Sequence, residues 1–232
     1  MINCDGGFAI LGAVMGETAD WVALTPRFNS GWPWPEDSYG LDPMYGPGGW
    51  CRGCGTPLVE QTGALVVQGR KFPAAEVWMP NWHFDVVCVS ARLAVELEEA
   101  FEVDLGDVHK PRTGPTGVKQ LRPVVNGTDW HRPEDLSRSV VARHGEYEGE
   151  RTGSTCARCG RWKWLPVLES EVPILGASLV GDGDGDGDVV ASREVFGAGL
   201  KAFRHLLFRR RLAECLVAAE PRLWALTEVT II

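Results

Sequence analysis

The spacing of apolar positions changes several times along the chain. Two short runs rich in β-branched residues, "ALVVQ" (64–68) and "FDVVCV" (84–89), predict strands. Ser90 then opens "SARLAVELEEAF". Leu93, Leu97 and Phe101 recur there at every fourth position, with Glu96, Glu98 and Glu99 largely between them. That spacing predicts a helix capped by Ser90. Residues 105–155 are polar and broken by Pro and Gly, which predicts a connector with one or two strands such as "LRPVV". In the second half, "EVPILGASLV" (171–180) predicts a strand and "GDGDGDGD" (181–188) a loop. "DVVASREVFGAGLKAFRHLL" (188–207) predicts a strand, a cap at Ser192 and a helix striped by Phe196, Leu200, Phe203 and Leu207. Phe208, Leu212, Cys215 and Leu216 continue on a rotated stripe, as one long helix or two. "LWALTEVTII" predicts a last strand.

The two halves share an order. "CRGCG" (51–55) precedes a strand ending in D-V-V and a helix opened by Ser90, 39 residues after Cys51. "CARCG" (156–160) precedes D-V-V and Ser192, 36 residues after Cys156. The expectation is an α+β fold in a single domain, 1–232, built from two duplicated halves. The first repeat spans 1–105, the connector 106–150 and the second repeat 151–232. Residues 51–101 should then superpose on 156–207.

Composition narrows the function. Hydrophobic residues at 44% and charged residues at 23% suit a globular chain with its own core. Ten tryptophans point to a densely packed interior, a rich partner surface, or both. A net charge of −8 argues against nucleic acid as the main partner and is compatible with a basic one. The N-terminus has no basic start and too short an apolar run for a secretory signal, so the expected location is cytoplasmic, with no membrane partner. In a reducing compartment an odd count of seven cysteines is a poor disulfide framework.

The chemistry lies in the paired cysteines. Two thiolates at i and i+3 chelate one ion when the chain turns tightly between them, and the residue after the second often needs positive φ. Gly55 and Gly160 stand there. Cys51, Cys54, Cys156 and Cys159 are thus the expected ligands of one structural, zinc-ribbon-like Cys4 site for Zn²⁺. The 101 residues between Cys54 and Cys156 are many, since common ribbons separate their pairs by about 15–20. Loop closure costs grow slowly with length, so a folded insertion is permitted. Arg52, Arg158, Arg161 and Lys163 are close enough in sequence to offset the thiolate charge.

Three rivals stand beside this reading. A redox dithiol needs a helix N-terminus at the thiol, and neither "GTPLVE" nor "GRWKWLP" starts one. A catalytic zinc needs an open coordination position, which Cys4 lacks. The knuckles could also lack metal, or bind it separately with His83, Cys88 or His144. Elsewhere, "GDGDGDGD" starts like a calcium loop, but Arg193 stands where the bidentate Glu is required. "GASLVG" has Val180 where a nucleophile elbow needs Gly. The five histidines show no metal or triad spacing, "FRRR" reads as a solvated helix face, and no phosphate loop or dinucleotide fingerprint is present. No catalytic residue is expected.

The paired C-x-x-C-G motif about a hundred residues apart resembles the myxobacterial double-CxxCG paralogous family, which includes immunity proteins of swarm-inhibition toxin systems. The "YGL…GGWC" approach, the "VSAR" helix start and the "VVASRE" segment are similar as well. The resemblance covers nearly the whole chain. It carries over Cys51, Cys54, Gly55, Cys156, Cys159 and Gly160 alone; "GDGDGDGD" and the Arg-rich C-terminal helix depart from the pattern. It implies a non-enzymatic immunity protein that binds and neutralises a cognate toxin in the cytoplasm. A toxin that attacks nucleic acid is basic, and an acidic inhibitor is steered to it. Candidate acidic surfaces are Glu96, Glu98, Glu99, Glu102 and Asp104, and Glu146, Glu148 and Glu150. The alternatives are a zinc-stabilised adaptor for another protein and, behind it, a thiol-disulfide oxidoreductase.

Overall fold

Ser90 does what its position predicts. Its backbone is extended (φ −61°, ψ 158°) and its Oγ accepts the Leu93 N–H at 3.1 Å, which satisfies one orphan donor of the first helical turn. The helix buries Leu93, Ala94 and Leu97 and leaves its glutamate face outside. The same hydroxyl also bonds the Glu76 carboxylate. Ser90→Ala is expected to lower stability by about 1 kcal/mol, read as a shifted midpoint in urea; an unchanged midpoint would remove the cap from the account.

The computed structural model describes residues 20–27, 33–68, 72–125, 127–136, 153–165, 187–197 and 199–229. In chain order the elements are β1 (Trp21–Pro26), α1 (Leu41–Tyr45), β2 (Leu65–Val66), β3 (Val77–Trp78), β4 (Val87–Val89) and α2 (Ala91–Ala100). They continue with β5 (Asp104–Lys110), β6 (Gly114–Arg122), β7 (Val124–Val125), β8 (Gly153–Thr155), β9 (Trp162–Trp164) and β10 (Val189–Ala191). The last are β11 (Leu206–Arg209), α3 (Arg210–Ala219) and β12 (Trp224–Glu228). The architecture is mixed α and β, mostly sheet. The stretch expected as a connector carries the long β5–β6 hairpin, and the strand expected at 171–180 lies outside the described residues.

Two five-stranded sheets dominate, in the orders β12-β1-β11-β10-β7 and β2-β5-β6-β4-β3. They contain the same arrangement. β4 and β5 both run antiparallel to β6, so the crossover through α2 steps over one strand. β11 and β12 both run antiparallel to β1, and the crossover through α3 steps over it. The order β5-β6-β4-β3 therefore recurs as β12-β1-β11-β10. The strand stepped over differs in origin: β1 comes from the N-terminal end of the described chain, whereas β6 follows β5 directly in the hairpin. β1 precedes the first cysteine pair yet lies with β11 and β12, while β6 precedes the second pair and lies with β4 and β5.

The expected correspondence of Ser90 with Ser192 is corrected. No helix starts at Ser192; among the described residues of 192–205 there are only bends, turns and isolated bridges, and the helix begins at Arg210. Gly197 and Gly199 take φ of +113° and +56°. Phe196 and Phe203 exchange backbone hydrogen bonds at 2.8 and 3.1 Å across the turn they enclose. Two glycines each cost a helix about 1 kcal/mol, and the phenylalanines gain a shared cluster by facing each other instead. The next stripe is right: Leu212, Cys215 and Leu216 are buried on α3.

One core joins the sheets. Val77, Trp78, Val87, Leu93, Leu97 and Leu121 of one unit share a cluster with Val22, Phe208, Leu212, Leu216 and Trp224 of the other. Trp224 Nε1 also donates to Val77 O at 2.9 Å. Among the described residues no helix is long and apolar enough to cross a membrane.

Candidate metal centre

Each C-x-x-C-G forms the same knuckle. Gly55 N–H and Gly160 N–H donate back to the first cysteine's carbonyl, both at 2.8 Å. Cys51 N–H donates to Thr56 O and Cys156 N–H to Arg161 O, both at 2.9 Å and five residues ahead. The flanks pair identically, Trp50 with Pro57 and Thr155 with Trp162. Gly55 and Gly160 have φ of +76° and +71°, as the pattern requires.

The fold brings the two knuckles together. Cys51 Sγ lies 3.7 Å from Cys156 Sγ, and Cys54 Sγ lies 3.7 Å from Cys159 Sγ. All four sulfurs fall within 4.8 Å of one another, and none is in a disulfide. A tetrahedral ion with metal–sulfur bonds of about 2.3 Å places its ligands about 3.8 Å apart. The donor set and spacing therefore fit one tetrahedral metal ion. Thr56 Oγ1, fully buried, bonds Cys54 Sγ at 3.2 Å.

The electrostatics fit a shared cation. The Cys159 and Arg158 backbone N–H groups draw the Cys156 thiol down to about 6. Desolvation pushes the Cys159 thiol up to about 12. Four sulfurs at this spacing cannot all ionise without a cation among them. Of the four basic residues expected nearby, Lys163 is the buried one, and its ammonium donates to Cys54 O at 2.9 Å and to Gly199 O. Arg52 instead pairs with Asp42 and lies over the Trp50 ring, and Arg161 donates to Pro57 O. The alternative ligands are elsewhere: His83 Nε2 meets Tyr39 O at 2.6 Å, Cys88 is sealed in β4, and His144 lies outside the described residues.

The structure also gathers polar groups that no spacing announces. His131 Nε2 lies 3.0 Å from His205 Nδ1, and His205 stacks on Phe196 at 4.0 Å. Glu194 Oε1 accepts the His131 N–H, and Asp85, Glu194 and His131 border a cleft of about 960 Å3. It is no triad, because Ser192 Oγ donates to Glu194 O and accepts the His205 N–H. Burial holds His83 and His205 down at about 4 and His131 well below its ordinary value. Neutral in the fold, these rings take protons first in the unfolded chain. Their stability contribution is complete above about pH 6.5 and is lost as pH falls toward 4, at about 1.4 kcal/mol per pH unit for each titrating ring. Burial raises Asp85 to about 6 and also raises Glu194, which opposes the loss in part. The melting temperature is expected to fall from pH 7 to pH 5, less steeply in His205→Phe. A slope unchanged by that substitution would assign acid sensitivity to other groups.

The acidic helix face is partly neutralised. Glu96 pairs with Arg92 and Asp104 with Arg122, while Glu98 and Glu99 are exposed. Glu146, Glu148 and Glu150 lie outside the described residues. The Arg run is not simply solvated, since Arg210 grips both carboxylate oxygens of Glu228 at 2.9 and 2.6 Å.

No protein-family model matches the chain, and neither a curated protein nor a solved structure matches it.

Proposed function

We propose that the chain is a non-enzymatic immunity protein that binds a basic toxin, on a scaffold clamped by one structural Zn²⁺. The observation that carries the metal reading is the convergence of two like knuckles on one four-sulfur shell. Four thiolates complete a tetrahedron and leave no position for water or substrate, so the ion's role is to hold. Cys51, Cys54, Cys156 and Cys159 would hold it, with Lys163 offsetting part of a site charge of about −2. The recurrence of knuckle, strand order and crossover helix supports a duplication of one unit.

Neutralisation by binding rests on the resemblance of the paired motif and on the acidic balance of −8. Long-range attraction then speeds capture of a basic protein. The test is co-expression with the product of the adjacent reading frame. Growth arrest by that product alone and rescue by this chain is the expected result. A harmless neighbour, or a toxic one that is not rescued, would defeat the immunity reading and leave a zinc-clamped adaptor.

A further inference from the structure

Trp21, Trp50, Trp78, Trp130, Trp164 and Trp224 are buried. Trp34 and Trp82, by contrast, are 52% and 37% exposed, and they touch, with ring centroids 5.7 Å apart. Phe84, 41% exposed, stands two residues after Trp82 in the next turn. Large rings left in water beside one another are uncommon on a soluble surface and mark contact sites.

The patch is rigid. Asn81 N–H donates to Pro33 O at 2.9 Å, and buried His83 reaches Tyr39 O, so the two loops bearing the indoles are clasped. Trp82 has φ +70°, a conformation a bulky residue adopts only when its surroundings impose it. Phe84 packs edge-on against Phe203 at 5.2 Å, and Phe203 continues the stack into Phe196 and His205. Preorganised rings lose little entropy on binding.

The patch already carries a cation. Lys201 Nζ sits over the Trp82 ring, 2.8 Å from its centroid. Glu36 and Asp37 follow Trp34 by two and three residues, and neither forms an ion pair among the described residues. Indole faces attract ammonium and guanidinium groups, and adjacent carboxylates add to the attraction. We propose that the Trp34–Trp82–Phe84 face is the docking surface for a basic protein partner, whose Arg or Lys side chains pack on the indoles in competition with Lys201. Exposed aromatics also stack on nucleic acid, but a chain at −8 with two carboxylates within three residues of Trp34 in sequence disfavours phosphate. The proposal rests on the protein-binding reading above and names its surface.

Fluorescence titration of the zinc-loaded protein with an octa-arginine peptide tests it, with single-stranded DNA of similar length as a second probe. Trp34→Ala is expected to weaken peptide binding about 10-fold. Lys201→Ala is expected to tighten it about 3-fold by freeing the Trp82 face, a gain that unfolding cannot imitate. Arg222→Ala makes the same charge change on an exposed residue remote in sequence and is expected to leave binding as in the parent. Wild-type affinity in a Trp34→Ala/Trp82→Ala double variant would overturn the proposal. So would equal tightening by Arg222→Ala, or preference for the DNA. Indole-dependent peptide binding by a chain that fails to rescue growth would keep this surface and reject the immunity role.

Discussion

Stripping the metal is expected to unfold the protein at neutral pH. The two cysteine pairs belong to segments 101 residues apart in sequence, and the sulfurs of opposite pairs stand 3.7 Å apart. Without a cation the ionised thiolates repel, and neutral thiols replace strong metal bonds with weak hydrogen bonds. A structural zinc site contributes on the order of 10 kcal/mol of apparent folding free energy, comparable with the whole stability of a domain. Purified protein should contain one zinc per chain by elemental analysis, and a strong chelator should abolish its cooperative melt. Cys51→Ser should lose the metal and behave like the chelated protein. Metal-free protein with four freely titrating thiols and an unchanged melt would end the structural-zinc account.

Gly55→Ala should destabilise the zinc-loaded protein by about 4 kcal/mol, and Gly160→Ala by about 1 kcal/mol. The two glycines occupy equivalent positions and nearly equal positive φ, so the backbone strain of adding a Cβ is the same. Their surroundings differ. A Cβ on Gly55 would stand 2.1 Å from Leu200 O and 2.7 Å from Leu200 C. Those are backbone atoms of the turn whose Gly199 carbonyl receives Lys163, so they cannot move aside without disturbing the four-cysteine cluster. A Cβ on Gly160 would meet nothing within 4 Å. Urea unfolding at saturating zinc separates the two, and equal losses would show that the first knuckle is not wedged against residue 200.

The acid response and the proposed docking surface involve different groups from the four-cysteine cluster, which makes the experiments separable. His205→Phe probes the imidazole pair without touching a cysteine, and Trp34→Ala removes an exposed ring that contributes nothing to the core. A variant that loses zinc should lose everything. One that loses only the indoles should keep its melt and its metal.

Some of this was legible in the residues alone. The metal cluster was, because a C-x-x-C-G knuckle is local: five residues determine its turn, its glycine and the direction of its two sulfurs, and finding it twice implies a meeting. The helix α2 was legible for the same reason, since Ser90 and the Leu93–Leu97 spacing act within one helix. The sequence was misleading at 192–207, where a helical spacing of Phe196, Leu200, Phe203 and Leu207 belongs to a turn and a strand. Period alone cannot tell a stripe along a helix from two phenylalanines facing across a turn, and Gly197 and Gly199 were the warning.

The residues alone specified the two C-x-x-C-G turns, the four cysteines that meet, the capped helix and the acidic balance, all set by short-range geometry or simple composition. The remaining features arise only on folding. The insertion of β1 between β11 and β12, the pairing of His131 with His205 across 74 residues, and the Trp34–Trp82 contact each join distant segments. Such meetings depend on how segments far apart in sequence come together, which no local pattern records.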